Sequence, residues 1–345
     1  MHMKKIRIAI NGFGRIGRSF FRGAFGSEEF EIVAINDLTD PKTLSYLLKY
    51  DSVYGRYGKE VLAGQGSIRV GDTEIKVCAE KDPALLPWKD MGIDVVVEST
   101  GFFTTGAKAQ AHITAGAKRV VITAPASGDV DTLLVGVNDS QFANARPITC
   151  NASCTTNSVA PVMQILMDTF GIKKAAMVTV HGYTATQKLV DGPDEKDPRR
   201  GRAAAVNIVP STTGAAEAVI QAIPSLTGKF DAVAVRVPTV AGSLSVLTVS
   251  VEKKTTHEEV NAIFKKAAGD ARWTKSLKAT EEAIVSTDIL GEPYGAIIDL
   301  SLTKVIDNDL LEIFSWYDNE AGYTATLIEH VRRIAVNLQH VEQTA

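Results

Sequence analysis

The chain has 345 residues, of which 45% are apolar and 22% charged, the balance of a globular protein with room for two domains. A net charge of −3 gives no general reason to bind nucleic acid or an anionic membrane, and leaves only a local basic pocket open. Three cysteines, Cys78, Cys150 and Cys154, are too few for a disulfide framework and point to a reducing, cytoplasmic compartment.

The apolar stretch after Lys5 breaks at Asn11-Gly12, too soon for a signal-peptide core. No apolar run approaches the ~20 residues of a membrane span. The six histidines are scattered without HExxH or Cys-x-x-Cys spacing, so no metal site is expected.

Ile6 to Ile10 is a short β-rich run, followed by Gly12-Phe-Gly14-Arg-Ile-Gly17 and a helical stretch through Phe20, Phe21 and Ala24. In this GxGxxG the glycines permit a tight turn, close backbone approach to a pyrophosphate and close helix–strand packing. The helix start adds free N–H groups and positive dipole for the anion. A second buried strand, Ile32 to Ile35, ends at Asn36-Asp37, which puts Asp37 20 residues beyond Gly17. There a carboxylate accepts hydrogen bonds from the adenosine ribose hydroxyls of NAD and repels the 2′-phosphate of NADP. Val95 to Val97 and Val120 to Ile122 bracket a helix-like segment, Ala107 to Ala115. Apolar strands alternating with helices predict a Rossmann-type doubly wound parallel sheet covered on both faces.

Asn151-Ala-Ser-Cys-Thr-Thr-Asn157 follows a strand-like run and precedes an apolar helix through Val159, Val162, Ile165 and Leu166. Cys154 therefore sits at a helix start, where the dipole favours a thiolate. Cys78 and Cys150 lie in apolar, strand-like contexts and are assigned to the core. His181 ends the strand Met177 to Val180, 27 residues after Cys154, at the mouth of a polar loop. That makes it the best candidate for the base that a cysteine nucleophile needs. Pro210-Ser-Thr-Thr-Gly214 leads into another helix start, and Arg199-Arg200-Gly-Arg202 and Arg236 offer guanidinium groups matched to phosphate. Arg236 is the stronger signal, because it lies inside an otherwise apolar strand where burial without an anionic partner is costly.

From about Lys173 the pattern is strand-like over Ala176 to Val180, Ala232 to Val237, Ser243 to Val251 and Ile297 to Val305. Helices are expected around Gly214–Ile223 and Thr256–Ala268. This describes an α+β catalytic domain with a mostly antiparallel sheet. From Glu320 to Gln339, Tyr323, Leu327, Ile328, Val331, Ile334, Ala335 and Leu338 form one apolar helical face that must dock on another surface. The expected division is a cofactor domain over 1–152, with the helix of 320–345 packed back onto it, and a catalytic domain over 153–319.

These motifs resemble the glyceraldehyde-3-phosphate dehydrogenase family essentially end to end. The resemblance is carried by INGFGRIGR from Ile10, DPKTLSYLLKYDSVYG from Asp40, ESTGFF from Glu98, NASCTTN and TATQKLVDGP. Beyond these come RAAAVNIVPSTTGAAEAV from Arg202, RVPT from Arg236 and SWYDNEAGY from Ser315. NASCTTN and SWYDNE are the most specific. The resemblance implies that Cys154 is the nucleophile and His181 its activator. It implies that Ser153, Thr155, Thr213 and Gly214 bind inorganic phosphate, and that Thr184, Arg200 and Arg236 lie near the substrate phosphate. Beside the three glycines, it implies NAD contacts at Arg15, Ile16, Asp37, Lys81, Thr100, Gly101, Thr123 and Asn319, the last at the nicotinamide carboxamide.

The implied reaction converts glyceraldehyde 3-phosphate, NAD and inorganic phosphate to 1,3-bisphosphoglycerate through a thiohemiacetal and thioester on Cys154. The implied assembly is a homotetramer. A close relative, erythrose-4-phosphate dehydrogenase, is the alternative, disfavoured by Thr184 and Ser211-Thr-Thr-Gly214. Two departures stand out: Gly182 follows the histidine, where family members often carry a side chain, and Ser158 replaces a cysteine common in the family. The segment Asp194 to Arg199 matches less closely, which makes Arg200 the least secure phosphate ligand.

Overall fold

The computed structural model describes the backbone of residues 4–344 and the side chains of residues 4–336. Leu338, expected on the apolar face of the last helix, lies outside the described side chains. The chain forms two compact units. One comprises Met1–Leu133, Asp139–Ala152 and Leu327–Ala345; the other comprises Leu134–Asn138 and Ser153–Thr326.

The first unit opens with β1 (Ile6–Asn11), α1 (Arg15–Ala24), β2 (Phe30–Asn36) and α2 (Pro41–Lys49). An antiparallel excursion follows, β3 (Val61–Ala63), β4 (Ser67–Val70) and β5 (Thr73–Cys78). It continues with β6 (Val95–Glu98), α3 (Gly106–Thr114), β7 (Arg119–Ile122), β8 (Asp131–Thr132) and β9 (Ile148–Cys150). The nine strands lie in the order β3-β4-β5-β2-β1-β6-β7-β9-β8, and every pairing from β5 to β8 is parallel. The reversal of strand order on either side of β1 places a crevice at the carboxyl ends of β1, β2 and β6, where such sheets bind ligands.

Strand residues such as Ile8, Ile10, Val96 and Val120 are fully buried, as a sheet covered on both faces requires. Sequence reading misses α2, although Asp40 caps it by accepting from Thr43 N–H and Pro41 opens it, a standard helix start.

The second unit contains α4 (Cys154–Phe170), β10 (Ile172–Gly182), β11 (Val209–Ser211), α5 (Ala215–Ala222), β12 (Phe230–Val237) and β13 (Ser243–Val251). After them come α6 (His257–Ala268), β14 (Leu277–Thr280), β15 (Ala296–Asp299), β16 (Lys304–Ile306), β17 (Leu310–Tyr317) and the start of α7 (Ala321–Thr344). Its sheet order is β11-β12-β10-β13-β17-β15-β14, with β16 on β17. Most pairings are antiparallel, with β10–β12 and β14–β15 parallel.

The expected strand from Ile297 to Val305 is a correction. It breaks after Asp299, whose Oδ1 accepts from both the N–H and the hydroxyl of Ser301, a local turn that competes with the ladder. Tyr323, Leu327, Val331, Ile334 and Ala335 of α7 are buried. Within the first unit Ile328 reaches α1 so closely that a Cβ on Gly23 would stand 2.8 Å from it.

Candidate active site

In the first unit, β1 ends in the glycine turn. Gly12 has φ +87, and a Cβ there would meet the backbone of Ser99 and Thr100 at 2.8 Å. A Cβ on Gly17 would collide with the Gly12 carbonyl. Gly14 caps α1 without a side chain and faces open space, so backbone N–H groups at the helix start are accessible to an anion.

A cleft of about 400 Å³ is lined by Gly12, Gly14, Asp37, Lys81 and Thr100, among others. Asp37 Oδ2 accepts from Phe13 N–H at 2.8 Å, and its Oδ1 from Thr39 N–H at 2.9 Å. The carboxylate therefore ties the end of β2 to the glycine turn, and each oxygen keeps a lone pair for a ribose hydroxyl. Among the expected NAD contacts, Arg15 is engaged with Asp51 at 2.6 Å, Ile16 is half-buried in α1, and Gly101 follows Thr100. Thr123 donates its N–H to the Glu98 carbonyl at 2.9 Å. Asn319 belongs to the second unit, where its Oδ1 accepts from Gly242 N–H at 3.0 Å and from the Ser243 hydroxyl at 3.2 Å. An open glycine cradle beside a carboxylate fits a dinucleotide.

In the second unit Cys154 is the first residue of α4, and Ser153 is its N-cap, accepting from Thr156 N–H at 3.1 Å. Ala152, just before it, has φ +51, a left-handed conformation unusual for a residue with a side chain. His181 and Arg236 meet because β10 and β12 run parallel with these two residues in register. His181 Nε2 stands 3.4 Å from Cys154 Sγ. Its Nδ1 has the Gly182 carbonyl at 2.6 Å and Arg236 Nη1 also at 2.6 Å. A carbonyl only accepts and a guanidinium only donates, so one Nδ1 cannot satisfy both.

Burial, and then the Arg236 charge, hold His181 down to about 3, leaving a neutral imidazole at pH 7. Burial pushes the Cys154 thiol up, opposed by Arg236 and by hydrogen bonding at Thr155. The helix-start dipole therefore does not by itself yield a thiolate. Some of the cysteine's surface remains open to solvent, which softens that penalty.

Arg236 is the unsatisfied partner. Its Nε is buried without a hydrogen bond, and burial lowers its pKa, with Arg200 acting in the same direction. Two guanidinium groups that feel each other, one with an unused donor, need an anion. Arg200 donates from Nε to Ser211 Oγ and from Nη2 to Thr212 Oγ1, both at 3.2 Å, so the structure brings this arginine to the Ser211–Gly214 segment. Thr213 Oγ1 accepts from Ala215 N–H at 3.2 Å, and Gly214 caps α5. Thr184 bonds to Gln187 and to Thr186.

Gly182 is explained by crowding: a Cβ there would stand 3.0 Å from the Thr239 carbonyl. Ser158 pairs with Ser315 at 2.9 Å.

Two residues escaped sequence reasoning. Tyr317 is buried; its hydroxyl bonds to Thr155 Oγ1 at 2.9 Å and Thr179 Oγ1 at 2.7 Å, and its ring meets the His181 ring edge-on at 5.8 Å. The Thr239 hydroxyl, two strand-end residues beyond Val237, is buried without a partner. Tyr317 stands in the SWYDNE motif and Thr239 in RVPT, but neither position is informative before its neighbours across the sheet are known.

Comparison with known proteins agrees in both units. The family model described as glyceraldehyde 3-phosphate dehydrogenase, NAD binding domain, matches residues 6–106, and that described as the C-terminal domain matches residues 153–319. A glyceraldehyde-3-phosphate dehydrogenase of Thermotoga maritima is 52% identical over 325 residues, covering 94% of this chain and 97% of that protein. One from Mycobacterium avium is 48% identical over 340 residues, covering 96% and 99%. Glyceraldehyde-3-phosphate dehydrogenase 1 of Streptomyces avermitilis is 50% identical over 326 residues, covering 94% and 97%. With a nucleotide cleft in one unit, a cysteine–histidine–arginine cluster in the other and half of all positions shared along nearly the whole chain, the protein belongs to the glyceraldehyde-3-phosphate dehydrogenase family.

Proposed function

We propose that the chain oxidises glyceraldehyde 3-phosphate with NAD and inorganic phosphate, releasing 1,3-bisphosphoglycerate, with Cys154 as nucleophile and His181 as its base. The observation that carries this reading is the 3.4 Å approach of His181 Nε2 to Cys154 Sγ, beside an Arg236 with an unused buried donor. Cys154 attacks the aldehyde carbon while its proton passes to Nε2, giving a thiohemiacetal. N–H groups at the start of α4 face the oxyanion. Nε2 returns its proton to that oxygen, and His181 takes the hydroxyl proton back as hydride leaves the carbon and the thiohemiacetal becomes a thioester. When bound, NAD supplies the nicotinamide that accepts the hydride.

Gly12, Gly14, Arg15, Ile16, Gly17, Asp37, Lys81, Thr100, Gly101, Thr123 and Asn319 are the residues assigned to hold the cofactor. An anion that takes the guanidinium's hydrogen bonds frees His181 Nδ1 to donate to the Gly182 carbonyl, and Nε2 is then the lone-pair acceptor the mechanism needs. Arg236, Arg200 and Thr184 are assigned to the substrate phosphate. Ser153, Thr155, Thr213 and Gly214 are assigned to the inorganic phosphate that cleaves the thioester. Tyr317 holds Thr155 and the His181 ring in place.

The assembly is proposed to be a homotetramer in the cytoplasm. The second unit's sheet supports self-association: Val178, Val233, Val246 and Phe314 form one cross-strand row, with Val178 41% and Val233 40% exposed, apolar surface that association would cover. Three free cysteines suit a reducing compartment. Among the described residues no helix is long and apolar enough to cross a membrane.

The test follows NADH absorbance with glyceraldehyde 3-phosphate and NAD, with and without inorganic phosphate. Sustained turnover that requires phosphate is expected, whereas steady turnover indifferent to phosphate would assign the last step to water and defeat the phosphate-site reading.

A further inference from the structure

Behind the cofactor cleft lies a buried polar network that the reaction does not use. Trp88 and His112 are 0% exposed, and Glu98 and Asn11 are 1% exposed. The directions of its hydrogen bonds follow from groups that can only donate, and the 3.3 Å contact of Asn11 Nδ2 with His112 Nε2 is one between two donors that share Glu98 Oε2. An indole N–H only donates, so Trp88 Nε1, at 3.1 Å, donates to His112 Nδ1. The imidazole proton therefore sits on Nε2 and points at Glu98 Oε2, 2.9 Å away.

On the other side, backbone groups set the sense. The Asn36 amide donates to the Glu80 carbonyl and accepts from the Glu80 N–H, both at 2.9 Å. Asn36 Nδ2 also donates to Asn11 Oδ1 at 2.7 Å, which leaves Asn11 Nδ2 to donate to Glu98 Oε2 at 2.5 Å. Glu98 Oε1 accepts the Thr100 N–H at 2.8 Å and the Thr100 hydroxyl at 2.5 Å. The Thr100 oxygen in turn accepts from Phe102 N–H at 3.1 Å, which fixes the turn around Gly101.

Four donors thus converge on one carboxylate: the Thr100 N–H can only donate, and the Asn11 and His112 groups cannot reverse without breaking a bond to a backbone group or to the indole. No place remains for an amide. Asn11, Asn36, Glu80 and Thr100 all line the cleft, while Glu98, His112 and Trp88 stand behind them. We propose that Glu98 is the positioning residue of the dinucleotide cleft, whose two carboxyl oxygens hold Asn11 and the Thr100–Phe102 turn in the arrangement NAD binds.

The inference rests on the NAD-binding reading of the first unit. Glu98→Gln preserves shape but inserts an NH₂ among donors. At the Oε2 position it opposes Asn11 and His112, and at the Oε1 position it opposes the Thr100 N–H, a conflict that costs a buried donor its partner.

The test is calorimetric titration of full-length wild type and variant with NAD. It is paired with the KM for the aldehyde and with the rate of Cys154 alkylation by iodoacetamide. Glu98→Gln should raise the NAD dissociation constant about tenfold while aldehyde KM and alkylation rate stay within about twofold of wild type. A dissociation constant within about twofold of wild type would overturn the proposal, as would all three quantities moving together, the mark of a general loss of structure. Should Glu98→Gln fail to fold, Trp88→Phe decides. It removes only the indole donor and releases the His112 tautomer, so NAD binding should weaken about threefold, and unchanged binding would overturn the assignment. Absence of NAD binding by wild type would instead defeat the underlying reading.

Discussion

The polar groups beneath the nucleotide cleft and those around Cys154 are both buried, but they are satisfied in opposite ways. In the first unit Trp88, His112, Glu98, Asn11 and Asn36 close on one another and on the backbone. In the second unit Arg236 Nε and Thr239 Oγ1 are buried without partners, and His181 Nδ1 faces two groups it cannot satisfy together. Buried polar groups are almost always paired, and an exception beside reactive groups calls for an explanation of its own. The difference teaches a division of labour. A cofactor bound largely through backbone and shape needs a floor that does not move, whereas an anionic substrate needs donors kept open for it.

The largest effect should come from Cys154→Ser, which breaks the reactive cluster alone. Turnover should fall at least about a thousandfold, with the NAD dissociation constant from calorimetry within about twofold of wild type. Retention of more than about a tenth of the activity would remove Cys154 from its role. Next comes Arg236→Leu, which takes away the open donor. kcat/KM for glyceraldehyde 3-phosphate should drop about a hundredfold, the scale of a charge-assisted hydrogen-bond pair. Unphosphorylated glyceraldehyde should lose far less, and equal losses on both aldehydes would mean that the guanidinium does not read the phosphate. Asp37→Ala addresses the cofactor side, and should narrow the preference for NAD over NADP about tenfold; an unchanged ratio of the two kcat/KM values would contradict that role.

The smallest effect concerns acid stability. Burial, and then Arg333, hold His330 down to about 3, and His181 is depressed in the same sense. A histidine kept neutral in the fold favours folding at pH above its unfolded value near 6.5. That contribution is fully present above about pH 6.5 and is lost progressively as pH falls toward 3. His330→Gln should therefore flatten part of the decline in melting temperature between pH 6.5 and 4, and an unaltered slope would show that this histidine is not the group being charged.

Much of this was legible from sequence because it is local. β1, the glycine turn, α1 and the acid ending β2 occupy a short contiguous stretch, and the strands Ser243–Val251 and Phe230–Val237 announce themselves by apolar runs. Cys154 at a helix start was readable for the same reason. What resisted was whatever depends on partners distant in the chain. The register that sets Arg236 beside His181 spans 55 residues, and Tyr317 reaches Thr155 across 162. Glu98 looked like part of a motif, and only the fold reveals that Trp88 and Asn36, reached from opposite sides, fix its hydrogen bonds. The false strand from Ile297 to Val305 failed because an Asp–Ser turn outweighs β-propensity at Asp299.

The most direct test of the account is to mix enzyme, NAD and glyceraldehyde 3-phosphate without inorganic phosphate, quench in acid within the first turnover, and map the covalent adduct by peptide mass spectrometry. The account predicts one phosphoglyceroyl thioester per chain, located on Cys154 rather than Cys150 by fragmentation of the peptide that carries both, formed together with one NADH. An unmodified Cys154, or acylation at Cys78 or Cys150 instead, would contradict it.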